Sequence, residues 1–199
     1  MKIVHNLMDG GQVGFFLHRQ PFLGNRHKTQ DTMIRLEKFS KPDYDRLINW
    51  IKSEASMIQF SGPIFTYPIT SEQLDKYVNA ENRLAFCVVN ADTNEVVGHA
   101  ELNNIDSKNN SARICRILIG DKQNRNSGFG KAVIQALIRI GFHDLNLHRL
   151  ELGVYDFNQQ AIQCYTDCGF EIEGMLKENT KVGNEYWSTC IMSLLNHEK

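Results

Sequence analysis

Apolar residues recur at helical spacing in two segments near the start of the chain. Residues 41–55, KPDYDRLINWIKSEA, carry leucine, isoleucine and tryptophan along one face, and Ser40 stands where a helix cap is expected. A second helix is predicted to begin at Thr70 or Ser71 and to continue through Val78. The intervening stretch, SMIQFSGPIFTYPIT, is rich in turn formers and aromatic residues and predicts a loop.

Alternating and continuous apolar runs predict strands over much of the remaining chain. MIRLEKF, which starts at Met33, alternates like an edge strand, and three further strands follow the second helix: RLAFCVVN, EVVGHAELNNI and ARICRILIG. The connections ADTN and DSKNNS are typical of hairpins, so these three strands are predicted to form an antiparallel meander.

The second half of the chain predicts a strand, turn, helix, strand crossover. A helix with Val133, Ile134 and Leu137 at core spacing leads into the buried strand HRLELGVYD. A short helix from Asn158 and a long hairpin about residues 182–184 complete the pattern. This order predicts one α/β domain, of the α+β kind, over residues 33–199.

In residues 1–32 the apolar positions show neither the sustained period of a helix nor that of a strand. We interpret them as an N-terminal extension, a misplaced start or an expression remnant, and the sequence does not choose among these.

Charge and cysteine content exclude several classes of function. The chain has 22 Lys and Arg against 23 Asp and Glu, a formal net charge of −1, so no basic surplus indicates nucleic acid or membrane binding.

Five cysteines without a C-x-x-C pair favour reduced thiols and a cytoplasmic protein over a disulfide framework. A metal site using Cys164 and Cys168 with a histidine is disfavoured, because buried structural cysteine is commoner. No apolar run reaches the roughly 20 residues of a membrane span.

The glycine-rich turn RNSGFGK, from Arg125 to Lys131, lies at a predicted helix start and suits an anion. A Walker loop is excluded because Arg125 replaces its first glycine and Ala132 replaces its hydroxyl residue. A dinucleotide fingerprint is excluded because Val133 stands where its third glycine is required. Adjacent main-chain N–H groups, two glycines and a nearby positive charge suit a pyrophosphate. Considered alone, a plain glycine turn entering a core helix is an equal alternative.

Two motifs in this order of elements resemble the GNAT superfamily of N-acetyltransferases. Arg125, Gly128 and Gly130 fit its acetyl-CoA loop, [QR]-x-x-G-x-[GA], between the fourth strand and the third helix. About thirty residues downstream, residues 158–170 fit N-x-x-A-x-x-x-Y-x-x-x-G-F. The phrases LNLHRLEL and VGNEYWSTCIMSLL further resemble the branch that holds the Rim-type protein N-terminal acetyltransferases and the spermidine acetyltransferases.

The resemblance covers about residues 33–195 and implies a fold and a cosubstrate. The implied fold is a central mixed sheet, mostly antiparallel, with six to seven strands, four flanking helices and a splay between strands 4 and 5. The implied cosubstrate is acetyl-CoA.

The resemblance also implies which residues hold acetyl-CoA. Main-chain groups of Ile117, Leu118 and Ile119 are expected to pair with the pantetheine amides, with an N–H near Leu118 facing the oxyanion. Asn158 is expected to contact the cofactor arm as well as to cap its helix. The turn residues expected to bind the pyrophosphate are Arg125, Asn126, Ser127, Gly128, Phe129, Gly130 and Lys131.

Two side chains are the expected catalytic groups. Tyr165 matches the family phenol that protonates the departing thiolate, and the alternative is a core tyrosine. Family members often carry Glu near the start of the fourth strand, where this chain has Arg113, which cannot accept a proton. Glu101 on the preceding strand is the expected substitute base. A solvated strand position for Glu101, and a water that relays the proton, are the alternatives.

Amine acidity favours a particular acceptor. An α-amine with a pKa of about 8 is roughly one tenth neutral at pH 7, whereas a lysine-like amine near 10.4 costs about 4.6 kcal/mol to deprotonate. The expected acceptor is therefore a protein N-terminal amine or a small amine, with Phe60, Phe65 and Tyr67 as candidates to line an apolar cleft. Spermidine acetylation and a catalytically silent acyl-CoA sensor are the alternatives, and a homodimer is left open.

Overall fold

The computed structural model describes residues 33–125 and 127–197, which form seven strands and five α-helices. Residues 1–32, interpreted above as an extension, lie outside the described residues. The strands are β1 (Ile34–Lys38), β2 (Leu84–Asn90), β3 (Val96–Asp106), β4 (Ser111–Ile119), β5 (Arg149–Tyr155), β6 (Glu171–Val182) and β7 (Glu185–Leu195). The helices are α1 (Tyr44–Trp50), α2 (Glu54–Ser61), α3 (Ser71–Val78), α4 (Phe129–Arg139) and α5 (Gln159–Thr166).

All seven strands join one sheet in the order β1-β2-β3-β4-β5-β7-β6. Strands β4 and β5 are parallel and are connected through α4, whereas every other neighbouring pair is antiparallel. The predicted mixed, mostly antiparallel sheet is therefore confirmed.

Helices cover both faces of this sheet, and each face has its own core. Side chains of successive strand residues point to opposite faces. Val88 accordingly packs with the α4 and α5 side chains, while its neighbours Cys87 and Val89 pack with α1, α2 and α3. The site described below therefore has α4 and α5 on one side and α1 and α2 on the other.

The single helix predicted over residues 41–55 is in fact two helices. Ile51 adopts an extended conformation, with φ −96° and ψ 101°, and ends α1. Ser53 then begins α2: its hydroxyl accepts from the Ser56 N–H at 3.2 Å, and its own N–H donates to Ser56 Oγ at 3.0 Å. This reciprocal cap satisfies main-chain groups that a continuous helix would use otherwise. Helix α2 extends into the predicted aromatic loop and is a fifth helix beside the four expected.

Two predictions from the sequence, about membrane spans and disulfides, can be compared with the described residues. None of their helices is long and apolar enough to cross a membrane. All five cysteines carry free thiols.

Candidate active site

Strands β4 and β5 separate part-way along their length and open a cavity. Their parallel pairing ends at Ile114 and Leu152, whereas β4 continues to Ile119 and β5 to Tyr155. The cavity has a volume of about 1230 Å³, and its wall includes the end of β4, the glycine-rich turn, one side of α5 and the ends of α1 and α2. This is the splay that the family resemblance implied.

A bulge in β4 lies where the gap begins. Two β4 residues, Arg116 and Ile117, stand opposite the single residue Ala100 of β3. Arg116 has φ 51°, a left-handed conformation that is uncommon for a residue with a side chain. Bulges bend their strand and increase its twist, which accounts for the departure of β4 from β5 at this point.

Beyond the bulge, β4 presents only alternate residues to the gap. The Gly120 N–H donates to the Val97 carbonyl of β3 at 2.9 Å, and Leu118, two residues earlier, is directed to the same strand. The main-chain groups of Ile117 and Ile119 therefore face the cavity. Of the three residues predicted to pair with pantetheine, these two have N–H and C=O groups in position to do so.

The predicted anion-binding turn lies beside the gap at the start of α4. Gly128 precedes the helix with φ 88° and ψ −10°, a left-handed conformation that glycine adopts without strain. A Cβ atom built on Gly130 would meet no atom within 4 Å, so the first turn of α4 is open there. Gly128, Gly130 and Lys131 all line the cavity. The N–H groups at the start of α4, with the helix dipole behind them, are therefore accessible to a phosphate.

The Arg125 side chain ties this turn to the end of β4. Its Nε and Nη2 atoms donate to the carbonyl oxygens of Ile119 and Gly120, each at 3.2 Å. Arg125 also lines the cavity. The guanidinium thus fixes the turn next to the strand edge while adding positive charge to the wall.

The other predicted turn residues would serve the site through main-chain atoms. The Ser127 hydroxyl donates to the carbonyl of Asn124, and the Phe129 ring is buried in the core. Asn126 lies outside the described residues.

Helix α5 and its cap residue carry the remaining predicted residues of the cavity wall. The Asn158 side chain accepts from the Ala161 N–H at 3.3 Å, so its predicted capping role is confirmed, and it also lines the cavity. Tyr165 lines the cavity too, with its ring edge-on to Phe170 at 6.3 Å between centroids. Among the described residues its hydroxyl has no hydrogen-bond partner. Burial raises the pKa of Tyr165, so the phenol stays protonated at neutral pH and can donate.

Three aromatic residues, Trp50, Phe60 and Tyr155, also line the cavity. Trp50 packs on Gly120, whose carbonyl accepts from Arg125 of the turn. Phe65 instead lies in the core, and Tyr67 is exposed outside the lining. Of the three aromatic residues expected from the sequence to form an acceptor cleft, Phe60 alone lines the cavity, and its contact with an acceptor stays a prediction.

Periodicity in the sequence did not reveal an aromatic cluster around Tyr155. Tyr155 stacks on Phe157 at 5.6 Å, and Trp187 meets both rings edge-on at 5.0 and 4.9 Å. These residues meet because β5 pairs with β7, and no local pattern in the sequence relates them.

A model of the acetyltransferase (GNAT) family matches residues 44–170. The chain belongs to this family. It is 32% identical over 113 residues to the uncharacterized N-acetyltransferase p20 of Bacillus licheniformis, a match that covers 57% of this chain and 62% of the relative. It is 31% identical over 138 residues to a spermidine N(1)-acetyltransferase of Vibrio cholerae, covering 68% of this chain and 77% of the relative.

A solved structure shares the fold. The dodecameric spermidine N-acetyltransferase of Vibrio cholerae has a TM-score of 0.67 and 25% identity, covering 83% of this chain and 95% of the other.

GNAT acetyltransferases take the acetyl group from acetyl-CoA, and this cavity fits that donor. Ile117 and Ile119 offer main-chain groups for the pantetheine amides, and the start of α4 offers N–H groups for the pyrophosphate. The thioester supplies an activated acetyl group when acetyl-CoA is bound.

Glu101, the predicted base of this GNAT site, lies behind the cavity wall. Its side chain is fully buried. Oε1 lies 3.0 Å from Arg83 Nε and 2.7 Å from Arg116 Nη1, and Oε2 accepts a hydrogen bond from the Tyr77 hydroxyl. Both oxygens are thus occupied by neighbours, and Glu101 is absent from the cavity lining. A base role for Glu101 stays a prediction.

His99 completes this buried cluster as a neutral ring. Its Nε2 lies 2.9 Å from the Tyr77 hydroxyl oxygen. Because Tyr77 donates its one proton to Glu101, Nε2 must carry a hydrogen and donate to Tyr77. Burial and the nearby Arg116 charge lower the pKa of His99 to about 3, so its charged form does not contribute at neutral pH.

Gly128→Glu should abolish donor binding. The carboxylate enters a site built for an anion, so we expect CoA affinity to fall by at least about 100-fold in titration calorimetry. Gly183→Glu is the matched control, because Gly183 also has positive φ (59°) and open space around it but lies in the β6–β7 turn. Both variants carry similar backbone strain, of about 1 to 2 kcal/mol. Equal CoA affinity in the folded variants would eliminate the anion site at α4.

Proposed function

We propose that this chain transfers the acetyl group of acetyl-CoA to a primary amine of a small acceptor, and that the acceptor is a polyamine. The observation that carries the transfer is the gap between β4 and β5. It brings the anion-binding turn, the open edge of β4 and the Tyr165 phenol to one cavity, which is the arrangement that positions a thioester for attack.

Support for a polyamine comes from the relatives. The Vibrio cholerae relative, at 31% identity, is named a spermidine N(1)-acetyltransferase. Neither it nor p20 is named for a protein N-terminal amine, the acceptor that amine acidity alone favours. The polyamine alternative therefore replaces the protein N-terminus as the leading acceptor.

The aromatic side chains of the cavity wall suit an amine. Arg113 and Arg116 belong to the lining, and their guanidinium groups lie 3.6 Å from Glu151 and 2.7 Å from Glu101, so both are paired with carboxylates. An aromatic face attracts an ammonium group without a buried carboxylate. The attacking nitrogen itself must be neutral, which a low-polarity wall favours.

In this proposal Tyr165 donates a proton to the departing thiolate. Its raised pKa keeps the phenol protonated over the pH range in which the acceptor amine loses its proton. The phenol of Tyr165 can therefore still donate its proton at the pH where the acceptor amine becomes neutral and able to attack.

Tyr165→Phe should lower kcat by about 10² to 10⁴ while CoA affinity changes little, since proton donation acts in the transition state and the ring is kept. Stopped-flow detection of thiol release measures kcat, and calorimetry measures affinity. Tyr186→Phe, an exposed tyrosine of β7, is the matched control and should behave as wild type. If the Tyr165→Phe enzyme has the wild-type kcat at every pH, a group other than Tyr165 must protonate the departing thiolate.

An acceptor panel tests the substrate class. Spermidine, spermine, butylamine and a short peptide with a free α-amine are offered at equal concentration with saturating acetyl-CoA. We expect kcat/KM for spermidine to exceed that for the peptide by at least about tenfold, because an aromatic side chain of the cavity wall can hold a second ammonium group. A peptide that is faster than both polyamines would reverse the assignment. No thiol release with any amine would remove the proposed transfer.

The homodimer left open by the sequence stays a prediction, and two observations support self-association. Ile172, Met175 and Leu176 of the edge strand β6 are about half exposed. The related Vibrio cholerae structure is dodecameric.

A further inference from the structure

The bulge that begins the gap is joined to a buried carboxylate by one ion pair. Arg116, the extra residue of β4, places Nη1 2.7 Å from Oε1 of Glu101 on β3. Glu101 directly follows Ala100, the residue that the bulge spans. Side chains thus connect the two strands where their main-chain ladder is interrupted.

Burial and neighbours fix the position of this pair. Glu101 is fully buried, and the Arg116 side chain is 6% exposed. Tyr77 donates to Oε2, and Arg83 Nε lies 3.0 Å from Oε1. The Tyr77 ring also lies under both guanidinium groups, 4.5 Å from that of Arg83 and 5.7 Å from that of Arg116. Arg83, Tyr77 and Arg116 thus surround the carboxylate, and Arg116 and Tyr77 donate the hydrogen bonds to it.

The geometry points to the Glu101–Arg116 pair as a positioning device for the donor site. The pair holds the bulge, the bulge carries β4 away from β5, and the main-chain groups of Ile117 and Ile119 thereby reach the cavity. Both side chains act through β4. This inference gives Glu101 a positioning role, as the alternative to the base role that the sequence predicts. The inference rests on the proposed acetyl transfer where it is tested by kcat. The test by CoA affinity does not depend on turnover.

The test compares two ligands on Glu101→Gln, which keeps the shape and removes the charge. CoA carries pantetheine, and 3′-phosphoadenosine 5′-diphosphate keeps the nucleotide and pyrophosphate without it. We expect the affinity for the fragment to stay within about twofold and that for CoA to fall at least about tenfold, because only pantetheine uses the edge of β4. With an acceptor that the wild type acetylates, kcat should fall by a similar factor at low and at high pH.

The matched control is Arg149→Gln, which removes a shorter ion pair, 2.6 Å from Glu173, on the neighbouring strand β5. It should leave both affinities unchanged. A base role for Glu101 predicts the opposite of a positioning role: unchanged CoA affinity, with a rate defect that disappears at high pH as the acceptor becomes neutral. Either that result or an unchanged ratio of the two affinities would overturn the inference. If the wild type acetylates no amine, the proposed function fails while the affinity ratio still decides the inference.

Arg116→Gly covers the case in which Glu101→Gln does not fold. Glycine accepts φ 51° without strain, and the substitution removes the pair from the other side. We expect a cooperative thermal transition and the same selective loss of CoA affinity. Arg116→Lys restores a cation and should recover part of that affinity. A lysine variant that binds CoA no better than the glycine variant would contradict an ion-pair mechanism.

Discussion

Main-chain N–H and C=O groups inside a sheet are almost always paired, and their pairing normally holds neighbouring strands together. In this chain β4 gives up its pairing with β5 beyond Ile114 but keeps its pairing with β3. One edge of an internal strand is thereby left to bind something other than a strand. The start of α4 lies at one end of this edge and Tyr165 lines the same cavity, so the chemistry of the site depends on where β4 departs.

The departure is stabilised by groups that would be costly to leave unpaired. A residue other than glycine in the left-handed region costs about 1 to 2 kcal/mol, which Arg116 incurs at the bulge. Removing one partner of a buried ion pair typically costs about 3 to 5 kcal/mol. The Glu101 pairing is thus large enough to hold the strained conformation of Arg116.

Local signals made part of the site predictable. A few neighbouring residues determine the glycine turn, the cap at Asn158 and the position of Tyr165. The family motifs consist of those residues, so they identify each feature from the sequence. The break between α1 and α2 was missed because its cap uses Ser53 and Ser56 rather than the usual acidic partner.

The surroundings of Glu101 could not be predicted, because they depend on the bulge. In a regular antiparallel ladder, each residue of one strand pairs with one residue of the other. Between β3 and β4, two residues along β3, from His99 to Glu101, correspond to three along β4, from Leu118 to Cys115. Sequence periodicity does not reveal such a slip. The same limit applies to the cluster of Tyr155 and Trp187, which forms only once β7 inserts between β5 and β6.

Amide hydrogen exchange along β4 tests most directly whether this strand edge binds the donor. Exchange at Ile117, Leu118 and Ile119 is followed by NMR with and without CoA. The account predicts that Leu118, which faces β3, is protected in both states, and that Ile117 and Ile119 slow by at least about tenfold when CoA binds. Unchanged exchange at Ile117 and Ile119 under saturating CoA would contradict it.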